Sequence, residues 1–133
     1  MSTITLEEAQ VVVAAALKKS GEMEAVMAIA VVDAGGFLKA FACMDGAMLG
    51  VIDIAIRKAR TARLFNMNSG EIGKLSQPGQ PAYGVEHSNG GLITFPGGVP
   101  LKRGDEIVGA VGVSGSSVEN DHVVAEAGRA AMA

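Results

Sequence analysis

Tryptophan is absent from the 133-residue chain, tyrosine and cysteine occur once each, histidine twice and proline four times. Cys43 has no second thiol to pair with, so an internal disulfide is excluded and a reduced, buried thiol is expected. Only 4% of residues are aromatic and there is no long basic run. The stacking platforms and the cationic footprint of nucleic-acid binders are therefore missing, and no DNA or RNA partner is expected. The longest apolar stretches, Val11 to Leu17 and Ala25 to Val32, fall far short of the roughly 20 residues of a membrane span, so no membrane partner is expected either. The N-terminus lacks a basic segment followed by an apolar core, which points to a cytoplasmic location.

Charge is also thin. Charged residues are 19% of the chain and the net charge is −3, against about 25% charged residues in an average soluble domain. Hydrophobic residues reach 49% and the mean hydropathy is +0.33. That balance fits one compact domain over residues 1–133 with a sizeable core and some apolar surface left for a second copy, so a homo-oligomer is expected.

Thr5 and Glu8 stand at capping-box spacing ahead of Leu6, Ala9, Val13, Ala16 and Leu17, and predict a helix over Leu6 to Lys19 that ends at Ser20-Gly21. Val26 to Val32 is a continuous apolar run that reads as a strand covered on both faces. The turn Asp33 to Gly36 returns the chain as a second strand, Phe37 to Met44. Leu49 to Phe65 has a 3.6-residue apolar period and predicts the second helix. A short helical piece, Ser69 to Leu75, precedes a long loop opened by Gln77-Pro78-Gly79-Gln80-Pro81 and running to about Asn89. Three more extended segments follow, Gly91 to Phe95, Val99 to Lys102 and Glu106 to Val113, then a helix over Val118 to Ala131 with Ser116 and Glu119 at capping-box spacing. Short links between strands demand antiparallel hairpins, so the expected class is α/β (α+β), a five-stranded antiparallel sheet flanked by helices. Gly109, Gly112 and Gly115 predict close backbone packing along the last strand.

Among residues able to carry chemistry, Lys58 stands out. At about 100° per residue it falls amid Val51, Ile54, Ala55, Ala62 and Phe65, aimed at the core, while Arg57, Arg60 and Arg63 lie on the other side, as on a solvated or interfacial face. A buried ammonium requires a carboxylate, a row of carbonyls or an anionic ligand, unless its amine snorkels outward. His87 follows Glu86 in the long loop, a setting rich in binding residues. His122 follows Asp121 in the first turn of the last helix, where a surface histidine is equally ordinary. One cysteine and two histidines do not make a zinc set, and no metal site is expected. Haem needs a single axial ligand, for which His87, His122, Tyr83 or a methionine qualifies. Gly112-Val113-Ser114-Gly115-Ser116 fails the nucleophile-elbow spacing, so no hydrolase triad is supported.

Val31 to Gly36, Met44 to Ala47, Lys58 to Ala62, Phe95 to Leu101, Gly109 to Gly115 and Glu119 to Ala125, in this order and spacing, resemble the GlcG/HbpS-like family of haem-binding or haem-degrading domains, related to the PduO C-terminal domain. The resemblance implies a profilin-like sandwich, assembly from dimers up to octamers, and haem as cofactor in some members. Others sit beside catabolic enzymes. The Lys-Ala-x-Thr-Ala element of the family falls on Lys58 to Ala62, and Cys43 stands where relatives often carry arginine.

Two functional readings result. In the first, the chain is an oligomeric binding protein for haem or a related anionic cofactor. Its pocket lies between sheet, second helix and long loop, and His87, His122, Lys58, Gly97 and Gly98 serve the cofactor. In the second it is a small cofactor-independent enzyme of aromatic or organic-acid catabolism, a tautomerase, hydrolase or decarboxylase, in which Lys58 polarises a substrate and Glu86 or His87 moves the proton. A purely structural oligomer, with Lys58 tying a strand end to a helix, is the third possibility.

Overall fold

The computed structural model describes residues 2–132. In chain order the elements are α1 (Leu6–Glu22), β1 (Ala28–Asp33), β2 (Leu38–Cys43), α2 (Val51–Phe65), α3 (Ser69–Leu75), a single 3-10 turn (Val85–His87), β3 (Gly98–Arg103), β4 (Glu106–Ser114) and α4 (Val118–Ala130). The strands form one sheet in the order β2-β1-β4-β3, antiparallel at every pairing. The fold is thus mixed α/β, an antiparallel sheet between helices, with four strands rather than the five expected.

The missing strand is Gly91 to Phe95. Several of its backbone groups bond outside any ladder: Ile93 N–H donates to Thr61 Oγ1 at 3.2 Å, Leu92 N–H to the Glu86 carbonyl at 2.9 Å, and the Phe95 carbonyl accepts from Ser69 Oγ at 2.8 Å. Side chains of α2 and α3 have taken the place of a neighbouring strand.

Alternation along β1 divides the core in two. Ile29 and Val31 face α1 and α4, in a cluster with Val12, Ala16, Val111, Val113 and Val124. Ala28, Ala30 and Val32 face α2, against Val51, Ala55, Ala59 and Ala62. The α2 layer is built of small residues, so helix and sheet approach closely. Gly112 marks the tightest point, where an added Cβ would lie 2.0 Å from the Ala55 carbonyl oxygen. That contact accounts for the middle glycine of the spaced series in β4.

Helix starts follow the capping chemistry, with one shift. Thr5 and Glu8 form both halves of the capping box. For α4 the cap is Ser117, not Ser116: Ser117 Oγ accepts from Asn120 N–H at 3.1 Å, while Ser116 N–H donates to Asp121 Oδ1 at 3.0 Å. Cys43 is exposed rather than buried. It lies on β2, an edge strand with β1 as its one sheet neighbour.

Candidate functional site

Lys58 enters the core because α2 turns positions 55, 58, 59 and 62 toward the sheet, and its side chain has no exposed surface. The ammonium donates to the Val113 carbonyl at 2.9 Å and to Asp121 Oδ2 at 2.9 Å, and sits 5.0 Å from the centroid of the Phe95 ring. Asp121 is buried in the first turn of α4, where the positive helix end favours a carboxylate. Its second oxygen accepts from Ser116 N–H. Burial pushes the Lys58 pKa below the ordinary lysine value, and the hydrogen bond and charge of Asp121 pull it partly back. This cation therefore joins the end of β4 to the start of α4 and keeps no donor aimed at solvent.

Gly97 and Gly98 belong to the same node. Gly97 has φ +131°, and a Cβ there would lie 2.5 Å from the Val113 oxygen and 2.7 Å from Lys58 Nζ. At Gly98 it would lie 2.3 Å from the Lys58 carbonyl oxygen. Ser69, wholly buried, ties the turn down by donating to Phe95 O and accepting from Gly98 N–H at 2.9 Å. Sequence reasoning isolated Lys58, Gly97 and Gly98 but missed Asp121, Ser69 and Phe95 as their partners. For Asp121 the available signal was a carboxylate in the first turn of a helix that also follows the Gly-rich exit of β4.

Glu86 and His87 are held elsewhere, on the 3-10 turn of the long loop. Glu86 Oε2 accepts from Thr94 Oγ1 at 3.0 Å, and Ser76 Oγ stands behind, 3.3 Å from Thr94 Oγ1. Its carboxyl is held below the usual range, first by its own backbone N–H and then by the Thr94 and Ser76 hydroxyls. Glu86 is an ionised anchor, while His87 points outward and is exposed. The loop is fastened from α2: Arg57 Nη1 donates to the Gly90 and Gly91 carbonyls at 2.7 and 2.9 Å, and Arg60 reaches the Asn89 carbonyl at 3.3 Å. Arg63 Nε donates to the Ala34 carbonyl at 2.7 Å. The arginines expected on a solvated or interfacial face are loop clamps.

His122 is half-buried on α4, with Nε2 3.9 Å from Glu126 Oε1. The Lys58 side chain lies against β4 and the Phe95–Gly98 turn. Two surface grooves lie elsewhere. One, about 710 Å³, runs between the α2–α3 junction, the β3–β4 hairpin and the end of α4, and is lined by Met67, Pro100, Lys102, Arg103, Arg129 and Met132 among others. The second, about 480 Å³, lies between α1 and β2 and includes Leu6, Val13, Leu17, Lys39 and Phe41. Neither groove is lined by Lys58, Glu86, His87, Gly97, Gly98 or His122. Beyond β2, Met48 and Leu49 are 66% and 90% exposed, with Phe41 and Ile52 also exposed. No helix among the described residues is long and apolar enough to cross a membrane.

A family model described as "Haem degrading protein HbpS-like" matches residues 4–130. An uncharacterized 15.0 kDa protein encoded in the dhaT-dhaS intergenic region of Citrobacter freundii is 36% identical over 127 residues, 95% of this chain and 89% of that protein. The corrinoid adenosyltransferase PduO of Citrobacter freundii is 34% identical over 131 residues, which is 98% of this chain but 39% of PduO. Against that relative the chain therefore spans less than half the length. Among solved structures, Klebsiella pneumoniae protein ORFY is similar with a TM-score of 0.96 and 37% identity, covering 99% of this chain and 92% of that one. The PduOC:heme complex is similar with a TM-score of 0.92 and 31% identity, covering 97% and 94%.

Proposed function

We propose, because the chain belongs to the HbpS-like family, that it is an oligomeric binding protein for haem or a related anionic cofactor, working as one domain in the cytoplasm. The observation that carries this is the likeness to a solved haem complex over nearly the whole of both chains, at 31% identity. Side chains suited to the cofactor are available. His87 is exposed on a loop made rigid by Arg57 and Glu86. His122 is half-buried near the start of α4, with Glu126 Oε1 3.9 Å from Nε2. His87 or His122 would hold the iron of a bound haem through an imidazole nitrogen, and the haem would supply the redox-active metal.

Lys58, Gly97 and Gly98 serve by positioning. The ammonium holds Asp121, the residue before His122, at the start of α4, and the two glycines leave room for that contact. The exposed apolar residues Phe41, Met48, Leu49 and Ile52 beside the open edge of β2 support self-association, from a dimer up to an octamer, for which native mass spectrometry is the measurement. The enzymatic alternative finds less support. Lys58 has two of its three ammonium donors in hydrogen bonds and no exposed surface, and Glu86, with its pKa lowered, is a weakened base.

A haemin titration followed through the Soret band tests the proposal. Wild type is expected to give a shifted band, and His122→Ala or His87→Ala to move or abolish it. Absence of any shifted band removes haem binding, and a band unchanged in both variants removes histidine ligation.

A further inference from the structure

β2 ends the sheet with β1 as its one neighbour, and the direction of its free backbone groups follows from the register. Met44 N–H donates to the Met27 carbonyl at 3.0 Å, and the pairing continues with Ala42 opposite Ile29 and Ala40 opposite Val31. Alternation in an antiparallel ladder then turns the N–H and C=O of Phe41 and Cys43 away from β1, onto the open edge. Apolar surface flanks this edge on both faces of the sheet. On one face, α1 lines the groove beside β2 with Leu6, Gln10, Ala14 and Leu17, a single stripe at helical spacing of which the first three are exposed. On the other lie Phe41, opposite Ala30, and Met48, Leu49 and Ile52 at the start of α2, all four exposed.

A strand added along β2 is therefore covered on both faces, and β2 of a second copy fits there. A two-fold axis normal to the sheet relates two such strands and keeps each face on its own side. Ala40 and Ala42, which pack on the α1 side, are small. With strands about 4.8 Å apart and α1 lying over β1 and β2, the two α1 helices come about 10 Å apart, a usual helix-packing distance. The charges select the register. With Phe41 opposite Cys43 of the partner subunit, position 39 falls opposite position 45, so Lys39 meets Asp45 of the partner subunit, twice in the pair. Neither Lys39 nor Asp45 has an ion-pair partner in its own chain among the described residues. The β1 ladder also skips Lys39, and a bulge and a lysine on an edge deter indiscriminate strand addition. An opposed aspartate lifts that deterrent for a second copy in this register.

We infer that β2 pairs antiparallel with β2 of a second copy, Phe41 opposite Cys43 of the partner subunit, joining two sheets into one of eight strands. The inference rests on the self-association proposed above and adds its surface and its register.

Disulfide trapping and a charge swap on the full chain test it. In this register the two copies of Cys43 have Cα atoms about 9 Å apart, too far to bridge, whereas position 41 and position 43 of the other copy are about 5.5 Å apart. Mild oxidation should therefore leave wild type and Phe41→Cys/Cys43→Ser uncrosslinked, and convert Phe41→Cys to a covalent dimer on non-reducing gels. In native mass spectrometry over a dilution series, Lys39→Glu and Asp45→Lys should each dissociate at about tenfold higher concentration than wild type, and Lys39→Glu/Asp45→Lys within about threefold of it. Thermal melts verify that every variant is folded. Three outcomes overturn the pairing while leaving self-association intact: no covalent dimer from Phe41→Cys, wild type bridging through Cys43 as readily as Phe41→Cys, or a double charge variant no better than the single ones. Single charge variants that dissociate like wild type overturn it as well. If wild type is monomeric throughout, the self-association reading falls and the pairing falls with it.

Discussion

Lys58 and Lys102 are the same side chain put to opposite uses. Lys58 lies wholly inside, with a carbonyl, a carboxylate and an aromatic ring around its ammonium. Lys102 stands at the mouth of a groove, exposed and outside any ion pair among the described residues. Desolvation forces the first to spend its charge on the fold, since an uncompensated buried ion is far costlier than the bond it would offer a ligand. Water leaves the second free to exchange its hydration for a carboxylate. The cation that most strongly draws attention in the sequence is therefore an architectural one, and the inconspicuous one is open to chemistry.

Breaking the buried node should produce the largest effect. Lys58→Met strands the Asp121 carboxylate and is expected to cost about 3–5 kcal/mol in urea unfolding. The double variant Lys58→Met/Asp121→Leu should recover much of that, and Lys102→Met should stay within about 0.5 kcal/mol of wild type. Equal losses for the two single lysine variants would erase the contrast between the sites. Next in size is Gly97→Ala. Its Cβ meets both the Val113 oxygen and the ammonium at a positive φ, and about 1–3 kcal/mol of destabilisation is expected from the same measurement.

The pH dependence sharpens the comparison further. The folded state depresses the pKa of Lys58, so the unfolded chain binds the proton more tightly. Stability should then rise with pH between the folded pKa and the ordinary lysine value of 10.5, and its contribution should be lost as pH falls through the folded pKa. Unfolding free energies on the alkaline side should show this gain for wild type and not for Lys58→Met/Asp121→Leu. A flat difference between them across that range would contradict the depressed pKa.

The smallest effect belongs to the loop. Arg57→Ala frees the Gly90 and Gly91 carbonyls and should change global stability by less than about 1 kcal/mol. Proteolytic nicking near Asn89 should nevertheless be faster, because the opening is local. Unchanged nicking would mean that the clamp is dispensable.

Much of this was legible along the chain. The Thr5–Glu8 box, the β1–β2 hairpin, α2 and α4 follow from period, caps and turn residues, and a helical wheel suffices to send Lys58 inward. Its partner was not legible: Asp121 is 63 positions away, and a carboxylate in the first turn of a helix is ordinary on local grounds alone. Gly91 to Phe95 reads as a strand because extended propensity says nothing about whether a neighbour is present. Arg57, Arg60 and Arg63 read as surface charges because the carbonyls they clamp belong to loops that no periodicity describes. Cys43 reads as buried because cysteine usually is, yet it lies on an edge strand.

Local order, then, came from the amino acids in succession: which segments coil, which extend, where each begins, and which helix face is greasy. Those properties depend on neighbours within about one turn or one hairpin, and residue types report them directly. The folded chain alone decided that four strands pair instead of five, that the lysine of α2 meets the carboxylate of α4, and that Lys102, Arg103 and Arg129 gather around one groove. Each of these is a coincidence in space between residues remote in sequence, settled by how helices and sheet pack rather than by any segment's own preference.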